Sequence, residues 1–131
     1  MEFEPYEMTE EDLAEEIELG DMELLAQLVE AEAGDQSLEG MRLVVDVVLN
    51  RVDSPNFPDT IEDVIYQNNQ FSVIKDGAFD RAAWHISEDC YRAVELEWEE
   101  RLDYGVLYFS ATKHPVNGKN AFKNGDHWFS Y

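Results

Sequence analysis

The segment SLEGMRLVVDVVLNRV, residues 37–52, constrains the fold more than any other. At about 100° per residue, Leu38, Met41, Val44, Val45, Val48, Leu49 and Val52 cover one wide helical face, and Leu43 and Val47 widen it further. The β-branched content would also suit a strand, but the length and the 3–4 spacing favour a helix. A helix apolar over so much of its surface must be nearly buried, with other elements wrapped around it. Ser37 stands where its N-cap belongs.

A helix is expected to start at Gly20-Asp21 and to be stopped by Gly34. Leu24, Leu25, Leu28, Val29 and Ala31 form its apolar stripe. Glu30 falls on the opposite face beside Glu23, where a solvated charge belongs. Glu32 falls inside the stripe, one turn beyond Leu28. Two readings of Glu32 are open. Its charge escapes at the helix end to solvent, Arg42 or Arg51, or it is a carboxyl held against apolar walls at the rim of a cleft. In the second case desolvation raises its pKa and lets it donate a proton near neutral pH, the chemistry glycosidases apply to a scissile glycosidic oxygen.

Residues 1–20 are expected to be an appended acidic segment, with residues 21–131 as one domain. Thr9 and Asp12 have capping-box form, and Leu13, Ile17 and Leu19 give a short helix a narrow apolar edge. DSPNFPDT reads as a loop, Thr60 caps a short helix IEDVIYQ, and NNQFSVIKDGAFD reads as irregular. Ser87 caps a helix to about Glu100, with Cys90, Tyr91, Val94 and Trp98 inward. VLYFSA and HWFSY, separated by the turn-rich KHPVNGKNAFKNGD, suggest paired strands.

The chain has 131 residues and a net charge of −21, with half of its 30 acids in residues 1–40, where Lys and Arg are absent. Such a chain should repel nucleic acid and anionic membranes in bulk, although Lys113, Lys119 and Lys123 oppose Asp126 alone near the C-terminus. No apolar run reaches the roughly 18 residues a membrane span needs. The first twenty residues show no signal-peptide pattern, so the expectation is synthesis in the cytoplasm. Cys90 is the lone cysteine and reads as a small core residue. His85, His114 and His127 lack zinc-type spacing, so neither metal nor cofactor is expected. A triad assembled from Ser72, His127 and an acid has no nucleophile elbow to support it.

Gln70, Phe71 and Ser72 bring amide, aromatic face and hydroxyl together, the mixed surface a sugar needs. Tyr108, Phe109, Trp128, Phe129 and Tyr131 alternate along the presumed strands, divided between core and groove.

The strings AEA (residues 31–33), EG (39–40), VVLNRV (47–52), FPDTIEDVIYQ (57–67) and QFS (70–72) occur in that order, followed by LYF (107–109) and GDHWF (125–129). From about Leu24 to the C-terminus the chain resembles the spore cortex-lytic enzyme SleB family of cell wall hydrolases. The resemblance implies an α+β fold, a mainly helical lysozyme-like and lytic-transglycosylase-like domain with a small antiparallel sheet near the C-terminus. It implies action on peptidoglycan, with Glu32 as the catalytic acid of the AEA motif. Gln70, Phe71 and Ser72 would lie along the cleft, with Tyr108 and His127 on its sheet side. Asn50 and Arg51 match the family's asparagine–arginine pair, read as a structural tie to the next loop. Gly34-Asp35 departs from the arginine–glycine common after AEA, which bears on substrate preference.

The expected activity is lytic transglycosylation of the bond between N-acetylmuramic acid and N-acetylglucosamine. The alternatives are a muramidase that uses water, with Asp35, Asp46 or another acid as base, and a catalytically silent glycan-binding module. An acidic decoy for a DNA-binding protein leaves the motifs unexplained. The expected partner is the glycan strand, met by a monomer, with phage lysis or a spore as the route to the wall.

Overall fold

A computed structural model describes residues 7–68, 70–112 and 118–131. The first six residues of the acidic segment, and Lys113 and His114, lie outside that set. Among the described residues six helices precede three strands: α1 (Glu10–Ala33), α2 (Leu38–Asp53), α3 (Ile61–Tyr66), α4 (Ser72–Lys75), α5 (Ala78–Ala82), α6 (Glu88–Glu99), β1 (Tyr108–Ser110), β2 (Phe122–Asn124) and β3 (His127–Ser130). This is the mainly helical α+β architecture expected, with a small antiparallel sheet at the C-terminal end.

α2 is the axis of the molecule, packed against α1, α3, α6 and β1. Every residue from Leu43 to Arg51 is buried. Burying a Leu, Val or Met side chain contributes about 1.5–3 kcal/mol, so this element dominates the core. Its buried polar residues are partnered from outside the helix. Asp46 Oδ2 accepts the Asp103 N–H at 3.0 Å, and Asn50 Nδ2 donates to the carbonyls of Asp103 and Val106 at 3.0 and 2.8 Å. Arg51 Nε donates to the Leu107 carbonyl at 2.8 Å. The asparagine–arginine pair thus sews the α6–β1 connection to α2. At the other end, Ser37 Oγ accepts the Gly40 N–H as N-cap.

α1 departs from expectation. It begins at the Thr9–Asp12 capping box and passes through Gly20 and Asp21 without a break, crossing the boundary expected at residue 20. A mid-helix glycine costs only about 1 kcal/mol relative to alanine, and the packing of Leu25, Ala26, Leu28 and Val29 outweighs it. Leu13, Ile17 and Leu19 stay exposed, so the acidic half is held beside α6 by polar contacts. Trp98 Nε1 donates to Glu18, and Tyr91 Oη donates to Glu23 at 2.7 Å.

Glu30 is not a solvated charge. Its Oε1 accepts the N–H of Ser87, the N-cap of α6, at 2.8 Å and lies 4.0 Å from His85 Nδ1. The docked start of α6 supplies a donor that α1's own periodicity does not reveal. Gly34 follows from the same contact: a Cβ there would lie 2.0 Å from Glu30 Oε2.

Two further expectations change. The stretch read as irregular contains α4 and α5, joined at Gly77, whose φ of +83° suits glycine. The turn-rich segment contains a third strand, β2, which pairs with β3 across a turn at Gly125 (φ +57°). The sheet order is β1-β3-β2, with Phe129 opposite both Phe109 and Phe122. Of the residues expected to face inward on α6, Cys90 and Val94 are fully buried, while Tyr91 and Trp98 pack at the core's edge.

Candidate active site

A cleft of about 780 Å³ opens between the end of α1, the α3–α4 connection and the sheet. Glu32, in the last turn of α1, forms part of its wall. Burial, reinforced by the negative charge of Asp76, raises the Glu32 carboxyl to about 7. Arg42 pairs with Glu97, and Arg51 bonds elsewhere, so neither arginine neutralises Glu32. The stripe is interrupted by an acid because the apolar face ends at a cavity.

Gln70, Phe71, Ser72 and His127 line the same cleft. Tyr108 does not. Its ring lies 6.1 Å from Phe57 and 5.5 Å from the Arg51 guanidinium, and Phe109 and Ser110 line the cavity from β1. Phe71, Phe109 and His127 form an aromatic wall, with Phe109 5.9 Å from Phe71 and 5.4 Å from the imidazole.

Arg51, read from sequence as structural only, does more. Its guanidinium lies over Phe57 at 4.8 Å and Phe71 at 5.3 Å, and Nη1 donates to Gln70 Oε1 at 3.0 Å. That bond turns the Gln70 NH₂ away from Arg51. Burial lowers the Arg51 pKa to about 10, which leaves it charged at neutral pH. Phe109, one of the aromatics expected to divide between core and groove, lines the cleft, and Gln67 and Lys75 do so without having been singled out in the sequence. Gln67 ends the IEDVIYQ string, which was its available signal.

Two buried polar atoms on residues that line the cleft, Gln67 Oε1 and His127 Nδ1, have no hydrogen-bond partner among the described residues. Unsatisfied buried atoms are uncommon. Burial lowers the pKa of His127, opposed by the charges of Asp35 and Asp126, so its neutral imidazole is favoured. Among the described residues no group of three or more His, Cys, Asp and Glu side chains is arranged to hold a metal ion.

Residues 35–130 match the family model described as Cell Wall Hydrolase. Spore cortex-lytic enzymes of Halalkalibacterium halodurans and Bacillus subtilis are each 40% identical over 57 residues, which is 44% of this chain but only 17% and 19% of those proteins. The aligned stretch thus spans about a fifth of the curated relatives' length. Among solved structures, the catalytic domain of the germination-specific lytic transglycosylase SleB from Bacillus anthracis superposes with a TM-score of 0.71 at 26% identity, covering 85% of this chain and 93% of that one. The catalytic domain of the Bacillus cereus SleB protein gives 0.68 at 25% identity, covering 86% and 91%. The family match opens at Asp35, so Glu32 lies outside it. With a family model spanning most of its length and a shared catalytic-domain fold, the chain belongs to the cell wall hydrolase family of SleB type.

Proposed function

We propose that the domain is a peptidoglycan lytic transglycosylase in which Glu32 acts first as acid and then as base. The observation that carries this reading is that Glu32 is the one carboxylate lining the cleft among the described residues. With its carboxyl raised to about 7, Glu32 can both hold and release a proton near neutral pH. Protonated Glu32 gives its hydrogen to the oxygen linking N-acetylmuramic acid to N-acetylglucosamine, and the muramyl C1 develops oxocarbenium character. The resulting carboxylate takes the proton of the muramyl C6 hydroxyl as that oxygen attacks C1, leaving a 1,6-anhydro sugar. The nucleophile belongs to the substrate, so a second carboxylate is not required.

The acids considered as water-activating bases are poorly placed for that task. Asp46 is buried between α2 and α6 and faces Glu97, and Asp35 is bound by Gln36 outside the cleft lining. Gln70, Phe71, Ser72 and His127 bind the glycan in this reading. A cleft complete within one chain supports a monomer, and delivery to the wall by lysis or within a spore belongs to the same proposal.

The test is mass spectrometry of muropeptides released from purified peptidoglycan in ¹⁸O-water. Anhydro products from the wild type and none from Glu32→Gln are expected. Reducing ends carrying ¹⁸O would indicate hydrolysis, and glycan binding without products from either protein would indicate a silent module.

A further inference from the structure

The turn after α1 reaches across to the sheet through one side chain. Gln36 Nε2 donates to Asp35 Oδ1 and to Asp126 Oδ2, both at 2.9 Å, while its Oε1 accepts the Asp126 N–H at 2.9 Å. The fit is tight. At Gly125, already in the left-handed region, a Cβ would lie 2.3 Å from Gln36 Oε1. Beside it, Asn124 Nδ2 donates to Glu39 Oε1 at 2.9 Å, and a Cβ on Gly40 would lie 3.0 Å from Asn124 Oδ1. The β2–β3 turn is therefore clasped by residues that follow Glu32 within two helical turns.

The residue after Asp126 is His127, whose ring stands in the cleft with Nδ1 unsatisfied among the described residues. Glu32 lies four positions before Gln36. The clasp thus joins the two shortest stretches of backbone that carry the acid and the imidazole. We propose that Gln36 is a positioning residue, whose amide holds Asp126 and so fixes His127 opposite Glu32.

A primary amide suits this place because it accepts from a backbone N–H at one end and donates to carboxylates at the other. Glutamate is nearly isosteric, but it would set a third negative charge beside Asp35 and Asp126. Methionine has similar length and neither function. Groups facing His127 are the Phe109 and Phe129 rings and the charges of Asp35 and Asp126, both held by Gln36. The state of the clasp must therefore register at the imidazole.

The catalytic part of the inference rests on the glycan-cleaving reading, and the experiment separates the two. Gln36→Glu and Gln36→Met are made alone and with His127→Ala, and kcat and KM are measured on soluble glycan fragments. The His127 imidazole is titrated by NMR without substrate. Expected is a fall in kcat/KM on the order of ten- to a hundredfold, as for a small misplacement of a group that holds the substrate. On the His127→Ala background the same changes cost less than about twofold, because coupled residues are not additive. The Gln36→Glu deficit shrinks as pH falls and the new carboxyl gains a hydrogen to donate. The His127 titration curve moves in both variants while thermal midpoints stay near that of the wild type.

Equal losses on the two backgrounds, or a His127 curve that superposes on the wild type's, overturn the inference. A wild type inactive on every glycan overturns the proposed function instead, and the NMR comparison still decides whether Gln36 positions His127.

Discussion

Replacing Asp46 by asparagine should make the domain more stable, increasingly so as pH rises. Asp46 is fully buried between α2 and α6. One oxygen accepts the Asp103 N–H, but Oδ1 has no donor among the described residues, and the group it meets is the Glu97 carboxyl. Glu97 is already engaged by Arg42 and by the Leu102 N–H. Two acceptor oxygens facing each other in a dry interior need a proton between them. Burial, then the Glu97 contact, accordingly raises Asp46 to about 9, against the opposing pull of the Asp103 N–H and Arg101.

The folded-state pKa lies above the unfolded one, so the contribution of Asp46 is fully present below about pH 4 and is lost as pH rises through about 9. Across that window stability falls as pH rises, and by pH 7 the loss is on the order of a few kcal/mol. Asparagine keeps the acceptor for Asp103, offers Glu97 an N–H in place of the shared proton, and cannot ionise. Urea melts at pH 5, 7 and 9 should show the gap between Asp46→Asn and wild type widening with pH. In thermal melts each kcal/mol corresponds to about 3–6 °C. A pH-independent gap, or a variant less stable than wild type at pH 9, would refute the shared-proton account.

Asp76→Asn removes the charge that helps hold the Glu32 proton, so the alkaline limb of the pH–activity profile should move to lower pH; an unmoved limb means that burial alone sets Glu32. Gly34→Ala forces a methyl against the Glu30 carboxyl and should cost about 1–3 kcal/mol in a denaturant melt, with Ser87 losing amide-exchange protection. On the proposed function a net charge of −21 must approach an anionic wall, so turnover of intact peptidoglycan should rise from low to moderate salt, and a steady fall would count against electrostatic repulsion.

The long helices were legible because their signals are local. α2 declared itself through the spacing of Leu38 to Val52, and Thr9, Ser37, Thr60 and Ser87 each sit at the N-caps their residue types suggested. β2 was not legible. Three residues with a lysine in the middle carry no alternation, and only the neighbouring β3 makes them a strand. Glu32 could be singled out because it interrupts a pattern, whereas Glu30 obeys the pattern and is captured by a distant Ser87. The exchange of Tyr108 for Phe109 has a different origin. An aromatic run does not say which of its rings meets the cavity, and the packing of Tyr108 against Phe57 and Arg51 comes from elements distant in sequence.

The unbroken α1 has a mechanical consequence. At 1.5 Å per residue it is a beam about 36 Å long, whose outer half carries acids and whose inner half, from Leu25 to Ala33, is set into the core. A beam fixed at one end feels its greatest bending moment at the root, however far out the load is applied. In this molecule the root is at Leu24 and Leu25, where α1 enters the core, so a load on the acidic tip is taken up about two turns before it reaches Glu32.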